Sequence, residues 1–107
     1  MNFFNTINNS IKNKNDYLCV WGSGYIGLST ACHFAKLGKN VLALDTNKTY
    51  VDNLKRGQFK NDDFKNWLKI PIKPLIKKKR LKFSHNFKEI KKFNPLVHFV
   101  CIPTEKK

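Results

Sequence analysis

The apolar positions at the start of the chain form one continuous run, followed by a segment with helical spacing. Residues 17–21 (YLCVW) are the run, which stops at Gly22 and is typical of a buried parallel strand. Residues 25–37 carry apolar side chains mostly three or four positions apart, and Gly38 follows them as a helix stop. This part of the sequence predicts a strand followed directly by a helix.

The same two patterns occur again in the next segment. Residues 41–44 (VLAL) are a second apolar run that ends at Asp45, which indicates another buried strand. Residues 48–56 predict a second helix, with Asn47 as its N-cap and Gly57 beyond its end. The order strand, helix, strand, helix predicts a parallel βαβ unit with a right-handed crossover.

The second half has a weaker pattern. It predicts a short helix capped by Asp62 or Asp63 and ended by Pro71, a short helix with Pro74 in its first turn, a strand at 81–83, a helix at 87–93 and a strand at 96–102. Phe64, Trp67 and Leu68 are expected to share one face of the first of these helices. Asn86 followed by Glu89 resembles a capping box for the 87–93 helix.

These elements together predict an α/β fold, a Rossmann-like parallel sheet built from βαβ units and truncated to about four strands. Residues 1–16, rich in Asn and Lys, are interpreted as a flexible leader, and residues 17–107 as one domain. A chain of 107 residues can bury enough surface for one modest core.

Composition limits the environment but names no partner. The net charge of +14, from 21 Lys and Arg against 7 Asp and Glu, raises nucleic acid or an anionic membrane as a partner. Only Arg56 and Arg80 are arginine, the residue that nucleic-acid readers favour, and AT-rich codons alone would produce the excess of Lys and Asn. We therefore do not expect nucleic acid as a partner. No apolar run reaches the ~18–20 residues that cross a bilayer. Three cysteines without paired spacing fit a reducing, cytoplasmic setting.

The candidate chemistry lies in the turn between the first strand and the first helix. Six residues with the spacing G-x-G-x-x-G are predicted to bind a dinucleotide cofactor: Gly22, Ser23, Gly24, Tyr25, Ile26 and Gly27. Gly22 permits the tight turn, Gly24 lets the backbone approach a pyrophosphate, and Gly27 lets the helix pack closely on the sheet. Amide groups at the helix N-terminus then face the phosphates. The alternative is a glycine-rich turn that binds nothing.

Asp45 stands at the end of the second strand, 18 residues past the last of these glycines. A carboxylate there accepts hydrogen bonds from the adenosine ribose and repels a 2′-phosphate, which favours NAD over NADP. Lys48 and the positive net charge favour NADP instead. We expect NAD as the cofactor, with NADP as the alternative.

At this point the sequence resembles a known family. Residues 20–28 (VWGSGYIGL) resemble the start of the UDP-glucose/GDP-mannose dehydrogenase family, whose fingerprint reads G-x-G-Y-[VI]-G-L. Residues 53–57 (NLKRG) and 99–104 (FVCIPT) are similar to two later family motifs. The resemblance covers about residues 17–105, which correspond to the front of a family member only.

The resemblance implies the NAD-binding Rossmann domain at the N-terminal end of a longer enzyme. Enzymes of this family oxidise the C6 hydroxymethyl of a UDP- or GDP-sugar to a carboxylate in two NAD-dependent steps, a reaction of polysaccharide biosynthesis. It also implies that a nucleotide sugar binds, and that homo-oligomers form, only in the full-length enzyme.

Three departures from the family pattern leave the sugar unnamed. Tyr50 stands where members often have Arg or Lys, residues 63–65 (DFK) replace a Glu-Pro-Gly segment, and Glu105 replaces a proline. Thr104, just past the predicted fourth strand, is predicted to lie over the ligand crevice and to bind the cofactor. A simple turn at the end of the strand is the alternative for this residue.

No catalytic residue and no metal site are predicted within the chain. Catalysis in the family uses a cysteine well downstream of the matched region, whereas Cys19, Cys32 and Cys101 fall within predicted buried elements. The three histidines are too scattered for a metal. Residues 77–80 (KKKR) are interpreted as a solvated turn, with an anion-binding role as the alternative.

Two function classes remain. The first is the cofactor portion of a nucleotide-sugar 6-dehydrogenase, inactive alone. The second is a stand-alone nucleotide- or nucleic-acid-binding module with a βαβ fold and no catalysis.

Overall fold

At least one helix separates each strand from the next along the chain, as the spacing of apolar residues predicts. The computed structural model describes residues 16–59 and 62–101. The strands are β1 (Tyr17–Trp21), β2 (Asn40–Leu44), β3 (Leu81–Ser84) and β4 (Val97–Val100). The helices are α1 (Tyr25–Lys36), α2 (Lys48–Lys55), α3 (Asp62–Leu68), α4 (Lys73–Lys77) and α5 (Glu89–Phe93).

The strands of the described residues form one sheet in the order β3-β2-β1-β4, and every neighbouring pair is parallel. In the centre, Tyr17 of β1 pairs with Asn40 of β2, and Leu18 pairs with Val97 of β4. Because the strands are parallel, the segments that follow them leave from the same end of the sheet. The predicted Rossmann-like α/β fold is confirmed.

The larger part of the core lies on the face of the sheet that α1 and α2 cover. Apolar side chains of both helices pack there against alternate strand residues, all of them buried: Leu18, Val20, Leu28, Ala31, Phe34, Val41, Ala43, Val51, Leu54, Leu81 and Phe83. The opposite face buries a smaller cluster beneath α5: Cys19, Leu42 and Leu44, with Tyr17, Trp21, Ile90 and Phe93 partly buried around it. The glycine turn follows β1 directly. Because β1 contributes side chains to both clusters, the strand before this turn is packed on both faces.

The first two helices agree with the sequence prediction to within one residue at each end. Asn47 is the N-cap of α2, as predicted, and its side-chain oxygen accepts a hydrogen bond from the Tyr50 N–H at 3.0 Å. No helix within residues 16–59 and 62–101 is long and apolar enough to cross a membrane.

Two predictions in the second half are wrong in detail. The helix expected at 87–93 begins at Glu89, because the Asn86 side chain accepts from the Lys88 N–H at 3.0 Å and forms a local turn. The Glu89 N–H donates to the Asn86 backbone oxygen at 3.1 Å and not to the Asn86 side chain, so the predicted capping box is absent. The last strand is shorter than predicted and spans Val97–Val100.

Trp67 does not share the buried face of α3. Leu68 is buried, whereas Trp67 is 56% exposed. The Trp67 indole stacks on the Tyr25 ring, with ring centroids 6.1 Å apart and an interplanar angle of 19°. An aromatic partner at the start of α1, which spacing along α3 cannot indicate, accounts for this orientation. The side chain of Phe64, also assigned to this face, lies outside the described part of the chain, as do residues 1–15 and Ile102.

Candidate functional site

The candidate site begins where β1 ends. Gly22 follows Trp21 with a φ of +96°, a conformation that residues with a side chain rarely adopt. Its N–H donates a hydrogen bond to the Leu44 carbonyl oxygen at 2.7 Å, which joins the turn to the end of β2. The tight turn predicted from the sequence therefore requires glycine at this position.

Gly24 is the N-cap of α1 and has an extended backbone, with φ −73° and ψ −162°. It has no side chain that could accept hydrogen bonds from the amides of the first turn, so the helix end keeps its partial positive charge. A Cβ at Gly24 would meet no atom of the described residues within 4 Å. Tyr25 and Ile26 form the first turn, and these residues are 47% and 67% exposed. An anion can therefore approach this helix end closely.

Gly27 lies where α1 passes the glycine turn. A Cβ at this position would lie 1.9 Å from the carbonyl oxygen of Gly22 and 3.2 Å from the Cβ of Cys101. A real Cβ contact is essentially never shorter than 3.0 Å, so the helix can pack this closely only with glycine here. The packing role predicted from the sequence agrees with this geometry.

Asp45, directly after β2, bridges two loops. Its Oδ2 accepts a hydrogen bond from the Ser23 N–H at 3.0 Å, and its Oδ1 accepts from the Asn47 N–H at 3.0 Å. The carboxylate is thus brought against the glycine turn, 22 positions earlier in the chain. A carboxylate offers about four lone-pair sites. These two bonds therefore leave acceptor capacity for a ligand.

Ser23 and Tyr50 complete the contacts around the turn. Ser23 is fully buried, and its hydroxyl donates to the Leu44 carbonyl oxygen at 3.3 Å. The Tyr50 hydroxyl, from α2, donates to the carbonyl oxygen of Ser23. Burial, with a smaller contribution from the nearby Asp45 carboxylate, raises the pKa of Tyr50 to about 12, so the phenol remains a proton donor at neutral pH.

Sequence reasoning noted Tyr50 only as a departure from the family pattern and missed its contact with the turn. The only signal available was that Asn47 caps α2, which places residue 50 in its first turn. The structural contact of Asp45 with Ser23 was also missed, because the motif assigns that carboxylate to a ligand. Thr104, predicted to bind the cofactor, lies outside the described residues.

The cysteine thiols of the described residues are poor nucleophiles. Burial raises the pKa of Cys19 to about 11 and that of Cys32 to about 12, and it also raises the pKa of Cys101. Since the thiolate is the reactive form, little of it is present at neutral pH. The described part of the chain contains no cluster of His, Cys, Asp and Glu that could hold a metal ion.

The basic segment at 77–80 has two parts. The three lysines are exposed, as expected, but Lys77 is the last residue of α4, and only Lys78 and Lys79 lie in the turn. Arg80 instead donates a hydrogen bond to the Asn40 Oδ1 at 2.9 Å and thereby ties the start of β3 to the start of β2.

Comparison with known proteins covers the same region. Residues 16–107 match the family model described as the UDP-glucose/GDP-mannose dehydrogenase family, NAD binding domain. A UDP-N-acetyl-D-mannosamine dehydrogenase of Methanococcus maripaludis (strain C7) is 33% identical over 87 residues, which are 81% of this chain and 19% of that protein. A UDP-glucose 6-dehydrogenase of Pseudomonas aeruginosa is 44% identical over 41 residues, 38% of this chain and 9% of that protein.

Solved structures agree on the fold. A UDP-glucose dehydrogenase from the archaeon Pyrobaculum islandicum superposes with a TM-score of 0.68 and 26% identity, over 86% of this chain and 21% of that one. A GDP-mannose dehydrogenase from Pseudomonas aeruginosa, solved as a ternary complex, superposes with a TM-score of 0.67 and 23% identity. The match covers 84% of this chain and 20% of that one. The chain spans about a fifth of the length of the relatives that it matches along most of its own sequence.

Proposed function

Because this chain belongs to the UDP-glucose/GDP-mannose dehydrogenase family, we propose that it is the NAD-binding portion of a nucleotide-sugar 6-dehydrogenase. The complete enzyme oxidises the C6 hydroxymethyl of a UDP- or GDP-sugar to a carboxylate, and these 107 residues alone do not turn over the sugar. NAD, when bound, supplies the acceptor for the hydride that leaves C6.

The observation that carries this proposal is the open backbone at Gly24, in front of the N-terminus of α1. Apart from Gly24 itself and its two chain neighbours, no described residue has an atom within 4 Å of the position that a Cβ would take there, so pyrophosphate oxygens have room to reach the first-turn amides. Tyr25, Ile26 and Gly27 supply those amides. The residues present therefore fit the cofactor that the family binds.

Asp45 orients the adenosine end in this proposal. The carboxylate keeps acceptor sites free after bonding to Ser23 and Asn47, and ribose hydroxyls are suitable donors for them. Its negative charge disfavours the 2′-phosphate of NADP. The proposed selectivity is thus a property of one side chain, fixed in place by two backbone amides.

Calorimetric titration of the purified chain with NAD and with NADP tests the cofactor assignment. We expect binding of NAD, weaker binding of NADP, and loss of NAD binding in a Gly24→Val variant. Lys36→Ala, at the far end of α1, is a matched control that should bind NAD normally. Equal affinity of the wild-type chain for both dinucleotides would contradict the role of Asp45.

The proposed inactivity of the chain alone follows from its thiols and from its short length relative to the family. Oxidation to the acid in this family requires a reactive cysteine, and burial raises the pKa of Cys19, Cys32 and Cys101. Incubation with NAD and a panel of UDP- and GDP-sugars, including UDP-N-acetyl-D-mannosamine, should produce no NADH absorbance. Sustained NADH production that stops when one of these cysteines is replaced would place the active site inside this chain.

A further inference from the structure

Three large apolar residues are exposed together beside the glycine turn. Tyr25 and Ile26, the first two residues of α1, are 47% and 67% exposed, and Trp67 of α3 is 56% exposed. The Trp67 indole lies nearly parallel to the Tyr25 ring, with centroids 6.1 Å apart. Exposed apolar groups that cluster at one place often mark a binding site, so this Tyr25–Trp67 stack is a candidate contact for a ligand.

The position of Trp67 is fixed by its neighbours in the chain. Leu68, which follows it directly, is buried, and so are Ile70 and Ile72 beyond the end of α3. These three side chains belong to the larger core cluster, which anchors the segment to the rest of the fold. Because the indole also rests on the Tyr25 ring, it is already ordered before a ligand arrives. A preordered aromatic side chain loses little conformational entropy when it binds.

Trp67 keeps enough accessible surface for a further contact. The Tyr25 ring covers part of the indole, yet more than half of the surface of this residue remains exposed. Since the indole supplies most of the surface of a tryptophan, part of the ring system is accessible. A planar ring stacked on it would remove apolar surface from water, which is favourable.

The Tyr25–Trp67 stack adjoins the phosphate site of the proposed function. Tyr25 supplies one of the first-turn amides of α1 and also the ring on which Trp67 is stacked. Burial is the main cause of the raised pKa of Tyr50, and the Tyr25 phenol is a smaller one, which places this phenol near the hydroxyl that bonds to Ser23. In a dinucleotide, one ribose separates each base from the pyrophosphate. A pyrophosphate at the first-turn amides therefore brings a base within reach of this stack.

We propose that Trp67 is a cofactor-binding residue: a planar ring of the dinucleotide, adenine or nicotinamide, stacks on its indole while the pyrophosphate lies at the N-terminus of α1. The inference rests on the proposed function and adds to it a contact outside the glycine motif. Alanine substitution of an aromatic side chain that stacks on a base lowers affinity by about five- to 150-fold. The expected effect is therefore large enough to measure.

Intrinsic fluorescence tests the contact directly, because the chain has only two tryptophans. In a Trp21→Phe variant the remaining tryptophan is Trp67, and NAD should quench its emission saturably, with the Kd that calorimetry gives. In a Trp67→Phe variant the emission of Trp21 should change far less. ADP-ribose, which has adenine but no nicotinamide, identifies the ring. Quenching of Trp67 by ADP-ribose assigns adenine to it, whereas binding of ADP-ribose without quenching assigns nicotinamide.

Calorimetry with NAD measures what the contact contributes to affinity. Trp67→Ala should weaken NAD binding at least about fivefold, whereas Trp67→Phe keeps a ring and should stay within about threefold of the wild-type chain. Leu37→Ala removes another exposed apolar side chain, at the far end of α1, and should change the affinity less than about twofold. Circular dichroism and the unfolding temperature establish that each variant is folded. If Trp67→Ala does not fold, Trp67→Leu, which keeps apolar bulk but has no ring, replaces it.

Failure of this inference is distinguishable from failure of the proposed function. Absence of NAD binding to the wild-type chain would overturn both. If the wild-type chain binds NAD, either of two results would overturn this inference alone: equal NAD affinity in the Trp67→Ala variant, or unchanged Trp67 emission at saturating NAD. Trp67 would then only tie α3 to α1. Equal weakening by Trp67→Ala and Leu37→Ala would also overturn it, because the effect would not depend on position.

Discussion

Replacing Gly24 with valine is expected to abolish NAD binding while the fold remains intact. The glycine has an extended backbone that a β-branched residue can adopt, and its Cβ position is open, so the folded chain has room for the new side chain. The same open space is where the pyrophosphate must approach. The added isopropyl group occupies part of this space, next to the first turn of the helix that Gly24 caps.

The magnitudes can be worked from the local geometry. An N-cap position that changes from glycine to an aliphatic residue loses about 1 kcal/mol of stability, which corresponds to a fall in Tm of about 4–8 °C for a domain of this size. Loss of the pyrophosphate contacts should weaken NAD binding at least about hundredfold, or about 2.8 kcal/mol. Thermal unfolding followed by circular dichroism measures the first quantity, and calorimetry measures the second.

Gly27→Ala is the matched comparison, since it adds a smaller group three residues further along. Its Cβ would lie 1.9 Å from the Gly22 oxygen, and this separation has to open by about 1.1 Å to reach 3.0 Å. Overpacking of this kind costs about 1–3 kcal/mol, and the helix preference for alanine returns about 1 kcal/mol. Because the clash is with a backbone atom, we expect the upper end of this range and a net loss of about 2 kcal/mol, greater than for Gly24→Val.

Two results would refute this reasoning. Equal NAD affinity in the Gly24→Val variant and in the wild-type chain would mean that the cofactor does not approach the turn here. A Gly27→Ala variant as stable as the wild-type chain would mean that α1 does not pack on Gly22 as closely as the geometry requires.

Three further predictions concern the neighbours of the turn. Asp45→Ser should weaken NAD binding and move the NAD:NADP affinity ratio toward one, since a hydrogen-bonding charge is worth roughly 1.5–3 kcal/mol; an unchanged ratio in calorimetry would contradict the assignment. Tyr50→Phe removes the donor to the Ser23 oxygen and should lower the free energy of unfolding by about 0.5–1.5 kcal/mol in urea titrations. Burial raises the pKa of Cys19 from 9.0 to about 11 and that of Cys32 from 9.0 to about 12, so the folded state holds these protons more tightly. The stability they contribute is complete below pH 9 and falls as the pH rises toward 11–12. Replacing both cysteines with alanine should flatten this alkaline fall in the free energy of unfolding, and an identical fall in the double variant would exclude the thiols as its source.

The first half of the fold could be predicted almost residue by residue because local signals there agree with one another. The apolar runs at 17–21 and 41–44 end at Gly22 and Asp45. Asn47 caps the next helix because its side-chain oxygen accepts a hydrogen bond from a first-turn amide. Each signal depends on neighbours in sequence, and nothing from elsewhere in the chain overrides it.

The second half shows where such reasoning fails. Trp67 turned away from the face that helical spacing assigns to it because its partner, Tyr25, is 42 positions earlier in the chain. Helix α5 begins at Glu89, later than predicted, because the short Asn86 side chain accepts from the Lys88 N–H and not from the Glu89 N–H. The spacing of apolar residues along the chain indicates neither a ring contact between distant residues nor a local turn that competes with a helix.

The candidate site was predictable only where a feature depends on the glycines of the turn themselves. Glycine spacing gave the positive φ at Gly22 and the close packing at Gly27, because both follow from the absence of a side chain. The bonds from Asp45 and Tyr50 to Ser23 were not predicted, since they depend on how β2 and α2 lie against the turn.

Those bonds to Ser23 fix the shape of the glycine turn when the chain folds. Holding the backbone of one residue in a single conformation costs about 1–2 kcal/mol of entropy. Since folding has already ordered the turn, a dinucleotide binds to a preorganised loop and does not have to order it. The bond from Tyr50 to Ser23 can therefore lower the entropic cost of cofactor binding by keeping the turn ordered.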